Sequence, residues 1–152
     1  MSDVEVSVVL PAYNEEASIE RTVEVTLETL DAFLPAGTFE VIVAEDGCDD
    51  RTPEIASRLA DEDDRVRHLH SDDRLGRGGA LGFAFDRAAG ETLVYFDTDL
   101  ATDMGHLEEL VESVRSGECD LATGSPWLPG NRAERPPKRA VSSLGYNRTS
   151  EL

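Results

Sequence analysis

The chain has 152 residues, with 32 Asp and Glu against 14 Lys and Arg, and Lys138 is its single lysine. A net charge of −18 works against nucleic acid and anionic lipid surfaces, so a polyanionic ligand has to be met by a local basic cluster or by a metal ion. The length suits one domain with a sizeable core. The two cysteines, Cys48 and Cys119, are too few for a disulfide framework, and neither a signal peptide nor a run of ~20 apolar residues is present, so a soluble protein of a reducing, cytoplasmic compartment is expected.

Val4 to Leu10 reads as a strand that turns fully apolar toward its end, followed by Pro11-Ala12-Tyr13-Asn14-Glu15-Glu16. Ser18 is positioned as an N-cap, and Ile19, Val23, Leu27 and Leu30 recur at helical spacing. Phe39 to Ala44 is a second strand, and Thr52-Pro53 opens a helix as N-cap and N1 ahead of Ile55, Ala56 and Leu59. Val66 to Leu69 is a short third strand, Gly79 to Ala89 a helix of small residues, and Thr92 to Phe96 a fourth strand. Met104, Leu107, Val111 and Val114 mark the next helix, and Leu121-Ala122-Thr123 is a weaker fifth strand. Pro126 to Lys138, with four prolines, reads as a loop. Alternating strands and helices predict an α/β fold with a doubly wound, mostly parallel sheet and helices on both faces.

In such a sheet ligands bind beyond the carboxyl ends of the strands. Four polar loops leave that edge: Pro11 to Glu15, Glu45-Asp46-Gly47, His70 to Gly79, and Asp97-Thr98-Asp99. The i, i+2 spacing of Asp97 and Asp99 turns both carboxylates the same way in an extended chain, which suits Mg²⁺ or Mn²⁺ held against a diphosphate. Gly76-x-Gly78-x-x-x-Gly82 follows the third strand, not the first, which speaks against a dinucleotide fingerprint. Its glycines let backbone N–H groups approach a phosphate beside Arg77. His68, His70 and His106 show no ligand spacing and read as surface histidines.

Val9 to Glu16, Val43 to Thr52, Gly76-Arg77-Gly78-Gly79-Ala80 and Asp97-Thr98-Asp99, in this order, resemble the family 2 glycosyltransferases of the GT-A fold. Asp97 to Met104 and Arg139-x-x-x-Ser143-x-x-Tyr146-Asn147 are most similar to the dolichyl-phosphate glucose and mannose synthases. The resemblance implies that residues 1–152 are the nucleotide-sugar-binding part of a catalytic domain whose acceptor side continues beyond the chain, at the cytoplasmic face of a membrane. It further implies that Pro11, Tyr13 and Glu15 line the nucleoside pocket, that Glu45 or Asp46 accepts a hydrogen bond from the base, and that Asp97 and Asp99 hold Mg²⁺ or Mn²⁺ on the sugar diphosphate.

A polyprenyl phosphate acceptor is already anionic, so attack on the sugar C1 needs no general base, only position and a cationic grip. Arg132, Arg135, Lys138 and Arg139 form the dense positive cluster of an otherwise acidic chain and are expected to hold the acceptor phosphate, with Arg139 the catalytic cation. Where the family carries Gly-Ser-Arg this chain has Gly124-Ser125-Pro126, so Arg132 substitutes or the acceptor differs. The competing readings are a silent nucleotide-sugar-binding domain and, on a similar sheet, a nucleotidyltransferase or dinucleotide oxidoreductase.

Overall fold

The computed structural model describes residues 3–98, 104–120 and 122. They fall in two compact units, Met1–Glu108 and Glu109–Leu152. The first unit holds a sheet of four strands, β1 (Val6–Ala12), β2 (Phe39–Asp46), β3 (Val66–Ser71) and β4 (Thr92–Tyr95), in the order β3-β2-β1-β4. All three pairings are parallel. Helices α1 (Ile19–Asp31), α2 (Thr52–Glu62) and α3 (Gly76–Phe85) make the crossovers. A short 3₁₀ turn at Met104–His106 leads into α4 (Leu107–Arg115), which runs on into the second unit. The expected fifth strand lies outside the described residues except for Ala122, which is in no regular element.

The handedness of parallel crossovers fixes the layers. Passing from β1 to β2 to β3 in one direction puts α1 and α2 on one face, and the return from β3 to β4 puts α3 on the other. Ile42 and Ala44 accordingly pack with Val9 and Ala84 of α3, and Leu69, Leu81, Phe85 and Tyr95 close around them. Being covered on both faces, β1 and β2 need continuous apolar runs, and Val6, Val8, Val9, Leu10, Val41, Ile42 and Val43 are all fully buried.

At the amino edge of the sheet, Glu40 is 7% exposed at its side chain. It accepts hydrogen bonds from Ser7 Oγ (2.7 Å), Arg67 Nη1 (2.9 Å) and the Ala89 N–H (2.8 Å). Burial pushes its pKa up, but the Ala89 N–H, Arg67 and Ser7 together outweigh burial and hold it below the ordinary glutamate value. Gly90 donates to Ser7 Oγ at 2.8 Å. A side chain there would come within 2.7 Å of the Ser7 backbone nitrogen, so the entry to β4 requires glycine.

Two helix starts differ from the sequence expectation, each for a long-range reason. Thr52 is the first residue of α2, not its cap. Its Oγ1 accepts the Glu15 N–H at 2.8 Å, and the Asp50 carboxylate takes the Thr52 N–H at 2.9 Å. Helix α3 begins at Gly76, three residues before the expected Gly79, because the Asp46 carboxylate receives the Leu75 and Gly76 N–H groups at 2.7 and 2.9 Å. Ser18 stands at the N-cap of α1 without capping it, since its hydroxyl donates to Glu15 Oε2 at 3.0 Å.

Candidate active site

The loops after β1 and β2 are laced into one wall. Asn14, at φ 51°, accepts the Asp49 N–H through Oδ1 at 2.8 Å. Asp50 accepts the Glu16 N–H at 3.1 Å, and Glu16 accepts the Arg51 N–H at 3.0 Å. Glu15 is part of this lacing: its N–H goes to Thr52 and its carboxylate to Ser18. Pro11 lies within β1 opposite Ala44 of β2, just before this wall.

Asp46 and Glu45 point to opposite faces, as successive strand residues must. Asp46, 2% exposed, faces α3 and gathers the loop after β3: besides the two N–H groups it takes a close hydrogen bond from Arg74 Nη1. The Arg74 guanidinium carbon lies 3.9 Å from the centroid of the Tyr13 ring, a cation–π stack between the loops after β1 and β3. Gly47, at φ +56°, makes this possible, because a Cβ there would sit 3.0 Å from the Arg74 backbone nitrogen. Tyr13, 42% exposed, and Leu75, 39% exposed, leave an aromatic face and an apolar side chain open beside the buried Asp46 carboxylate. That combination suits a nucleobase, which presents an N–H edge to a carboxylate and a π face to an aromatic ring.

The second half of the site lies between α3 and the end of β4. Arg77 Nη2 is 3.1 and 3.3 Å from the two oxygens of Asp97, and its guanidinium carbon is 5.8 Å from the Tyr95 ring centroid. Both partners are more than half exposed, so the pair is weak and easily exchanged for other ligands. Asp97 fits the role of a hard oxygen ligand for Mg²⁺ or Mn²⁺: it is accessible, and both its oxygens already face a cation. Asp99 lies outside the described residues. The backbone between the two aspartates is anchored, since Thr98 is buried and its carbonyl accepts Thr22 Oγ1 of α1 at 2.8 Å. Leu75 at the N-cap of α3 offers no capping side chain and Asp46 takes only the Leu75 and Gly76 N–H groups there; Gly78 has open space where a Cβ would stand, and the N–H groups that follow in such a turn lack intrahelical acceptors.

A doubly wound sheet with its polar loops gathered at the switch between β1 and β4 is the setting for a nucleotide. The sequence family model that matches the chain, over residues 7–148, is Glycosyl transferase family 2.

The chain belongs to this family.

Its similarity to Glycosyltransferase AglD of Haloferax volcanii is 75% identity over 144 residues, covering 95% of this chain and 23% of that protein. To the dolichyl-phosphate beta-glucosyltransferase of Homo sapiens it is 31% identical over 156 residues, covering 95% of this chain and 46% of the other. Among solved structures, glucosyl-3-phosphoglycerate synthase from Mycobacterium tuberculosis, crystallised with Mn²⁺, UDP and phosphoglyceric acid, superposes with a TM-score of 0.54 at 28% identity, over 73% of this chain and 39% of that one. The chain thus spans about a quarter and under half of the two curated relatives. The family 2 assignment and the GT-A architecture agree with the sequence reading.

Of the residues singled out from sequence, the structure brings Tyr13 and Asp46 together through Arg74, and Arg77 to Asp97. Arg132, Arg135, Lys138 and Arg139 lie outside the described residues. Arg74 and Thr22 escaped the sequence reading, because each acts through a partner far along the chain.

The histidine reading needs correction. His68 and His70 are not independent surface groups: both converge on the buried Glu45, with Oε1 at 2.7 Å from His68 Nε2 and 2.5 Å from His70 Nδ1. The Asp72 carboxylate and then Glu45 hold the His70 imidazole above its ordinary pKa. The available signal was the strand period itself, which places 68 and 70 on one face.

Proposed function

We propose that this chain is the nucleotide-sugar-binding part of an inverting, metal-dependent hexosyltransferase. Its donor is of the UDP-glucose or GDP-mannose type and its acceptor is a polyprenyl phosphate at the cytoplasmic face of a membrane. The observation that carries this reading is the exposed Arg77–Asp97 pair at the switch point, a cation and a hard carboxylate poised where a diphosphate and its metal ion can separate them.

Pro11, Tyr13 and Glu15 belong to the wall of the nucleoside pocket. Of Glu45 and Asp46, it is Asp46 that is the acceptor for the base, and Arg74 stiffens the pocket by bridging Asp46 and Tyr13. When the diphosphate arrives, Arg77 leaves Asp97 for a phosphate oxygen, and the first-turn N–H groups of α3 around Gly78 donate to the same group. Asp97 and Asp99 would hold a Mg²⁺ or Mn²⁺ ion, which neutralises charge on the departing nucleoside diphosphate. The acceptor phosphate is met by Arg132, Arg135 and Arg139 and attacks C1 in one displacement that inverts the anomeric centre. The dolichyl-phosphate beta-glucosyltransferase among the relatives supports the choice of acceptor class.

The test is a transfer assay with radiolabelled UDP-glucose and GDP-mannose against a short-chain polyprenyl phosphate. Metal-dependent formation of a lipid-linked hexose with one donor supports the reading. Transfer to a soluble hydroxyl acceptor with none to the lipid would replace the acceptor, and no transfer from either nucleotide sugar to any acceptor would replace the donor.

A further inference from the structure

The donor site leaves both His68 and His70 unused, and it leaves one oxygen of Glu45 unexplained. Glu45 stands opposite His70 in the β2–β3 register, and His68 stands opposite Val43. Paired positions on neighbouring parallel strands share a face, so all three side chains lie together on the face away from α3. Glu45 is fully buried at its side chain and His68 is 17% exposed. Glu45 Oε2 is buried without a hydrogen-bond partner among the described residues, a costly arrangement for a carboxylate oxygen. The three ligand-capable atoms of Glu45, His68 and His70 lie within 4.8 Å of one another. Behind them His70 Nε2 meets Asp72 Oδ1 at 2.7 Å, the carboxylate–histidine arrangement that orients an imidazole toward a metal.

We propose that Glu45, His68 and His70 bind one divalent cation of the zinc class, at a site separate from Asp97, and that this ion ties the outer strand β3 to β2. Two imidazoles select zinc-like ions over Mg²⁺. Ligand atoms around a tetrahedral zinc at bond lengths of ~2.0–2.1 Å stand about 3.3 Å apart, so the cluster must open by under ~1 Å. Both imidazoles must move back from Glu45 Oε1, which they approach to 2.7 and 2.5 Å; His70, 46% exposed at its side chain, is free to supply most of that movement and His68, 17% exposed, the rest. Bound through both oxygens of the Glu45 carboxylate, the ion also gives the orphaned Oε2 a partner, and a further position remains open to water.

The probe is Zn²⁺ itself, titrated calorimetrically into the chelator-stripped 152-residue chain, with Co²⁺ as its spectroscopic substitute. One equivalent should bind and raise the melting temperature, Mg²⁺ should not compete, and Co²⁺ should give the intense visible bands of a four-coordinate site. His68→Gln with His70→Gln should weaken Zn²⁺ binding by a factor of about 10² or more, and Asp72→Asn by ~10- to 100-fold. Asp97→Asn should leave this binding unchanged. Should the histidine variant fail to fold, the unaltered chain still decides, because Zn²⁺ should shift the imidazole resonances of His68 and His70 and spare those of His106. Zn²⁺ binding that survives the histidine substitutions, disappears with Asp97→Asn, or leaves the two imidazoles unmoved would overturn the proposal.

Discussion

Glu40 shows how one buried carboxylate couples stability to pH. Its folded pKa is depressed, so it stabilises the fold above the unfolded value of about 4.3 and loses that contribution as pH falls through the folded value. Glu40→Gln keeps the shape but removes the charge that Arg67 and the Ala89 N–H meet, and should cost ~1–3 kcal/mol near neutrality. Urea denaturation of both proteins between pH 7 and pH 3 should show the difference constant down to about pH 5 and shrinking below about 4.3. A difference that grows on acidification would mean that Glu40 is not held as the carboxylate. Thr22 is a positioning residue of another kind. Thr22→Val removes the hydrogen bond to the Thr98 carbonyl and should weaken metal-dependent nucleotide binding, while metal-free nucleotide binding changes by less than about threefold. Equal loss in both conditions would place the effect in the fold.

At the scale of elements, the strands were legible because burial on both faces leaves continuous apolar runs such as Val6 to Leu10 and Val41 to Ala44. The boundaries that failed were those set through space. Nothing near Gly76 announces that Asp46, thirty residues earlier, will accept its N–H, and Thr52 looks like a cap until Glu15 claims its hydroxyl. The Glu45–His68–His70 cluster needed both the period of β3 and the β2–β3 register, and only the first can be read locally. The approach of Gly90 to Ser7 belongs at this scale too, since it lets β4 enter beside β1. Gly90→Ala forces a methyl against the Ser7 backbone and should destabilise by ~1–3 kcal/mol, read as a lowered urea midpoint at unchanged slope. An unchanged midpoint would show that the strand entry can shift freely.

For the whole molecule, a charge of −18 on 152 residues means that self-repulsion weakens the fold in dilute buffer. Molar KCl, which shortens the screening length to roughly 3 Å, should raise the melting temperature. A melting temperature indifferent to KCl would mean that self-repulsion does not weaken the fold. Among the described residues no helix is long and apolar enough to cross a membrane.

The claim that the switch-point edge takes a nucleoside diphosphate with a divalent ion at Asp97 is tested most directly by thermal unfolding with UDP or GDP, in Mn²⁺ or in chelator, for the chain and for Asp97→Asn. His68→Gln with His70→Gln serves as background in both, so that metal bound at the second site does not contribute. At a nucleotide concentration one hundred times Kd, binding stabilises by ~2.7 kcal/mol, which is a rise of several degrees for a chain of this size. The account predicts this rise with one of the two nucleotides in Mn²⁺, a much smaller one in chelator, and loss of the difference in Asp97→Asn. A Mn²⁺-dependent rise of the same size in Asp97→Asn would contradict it.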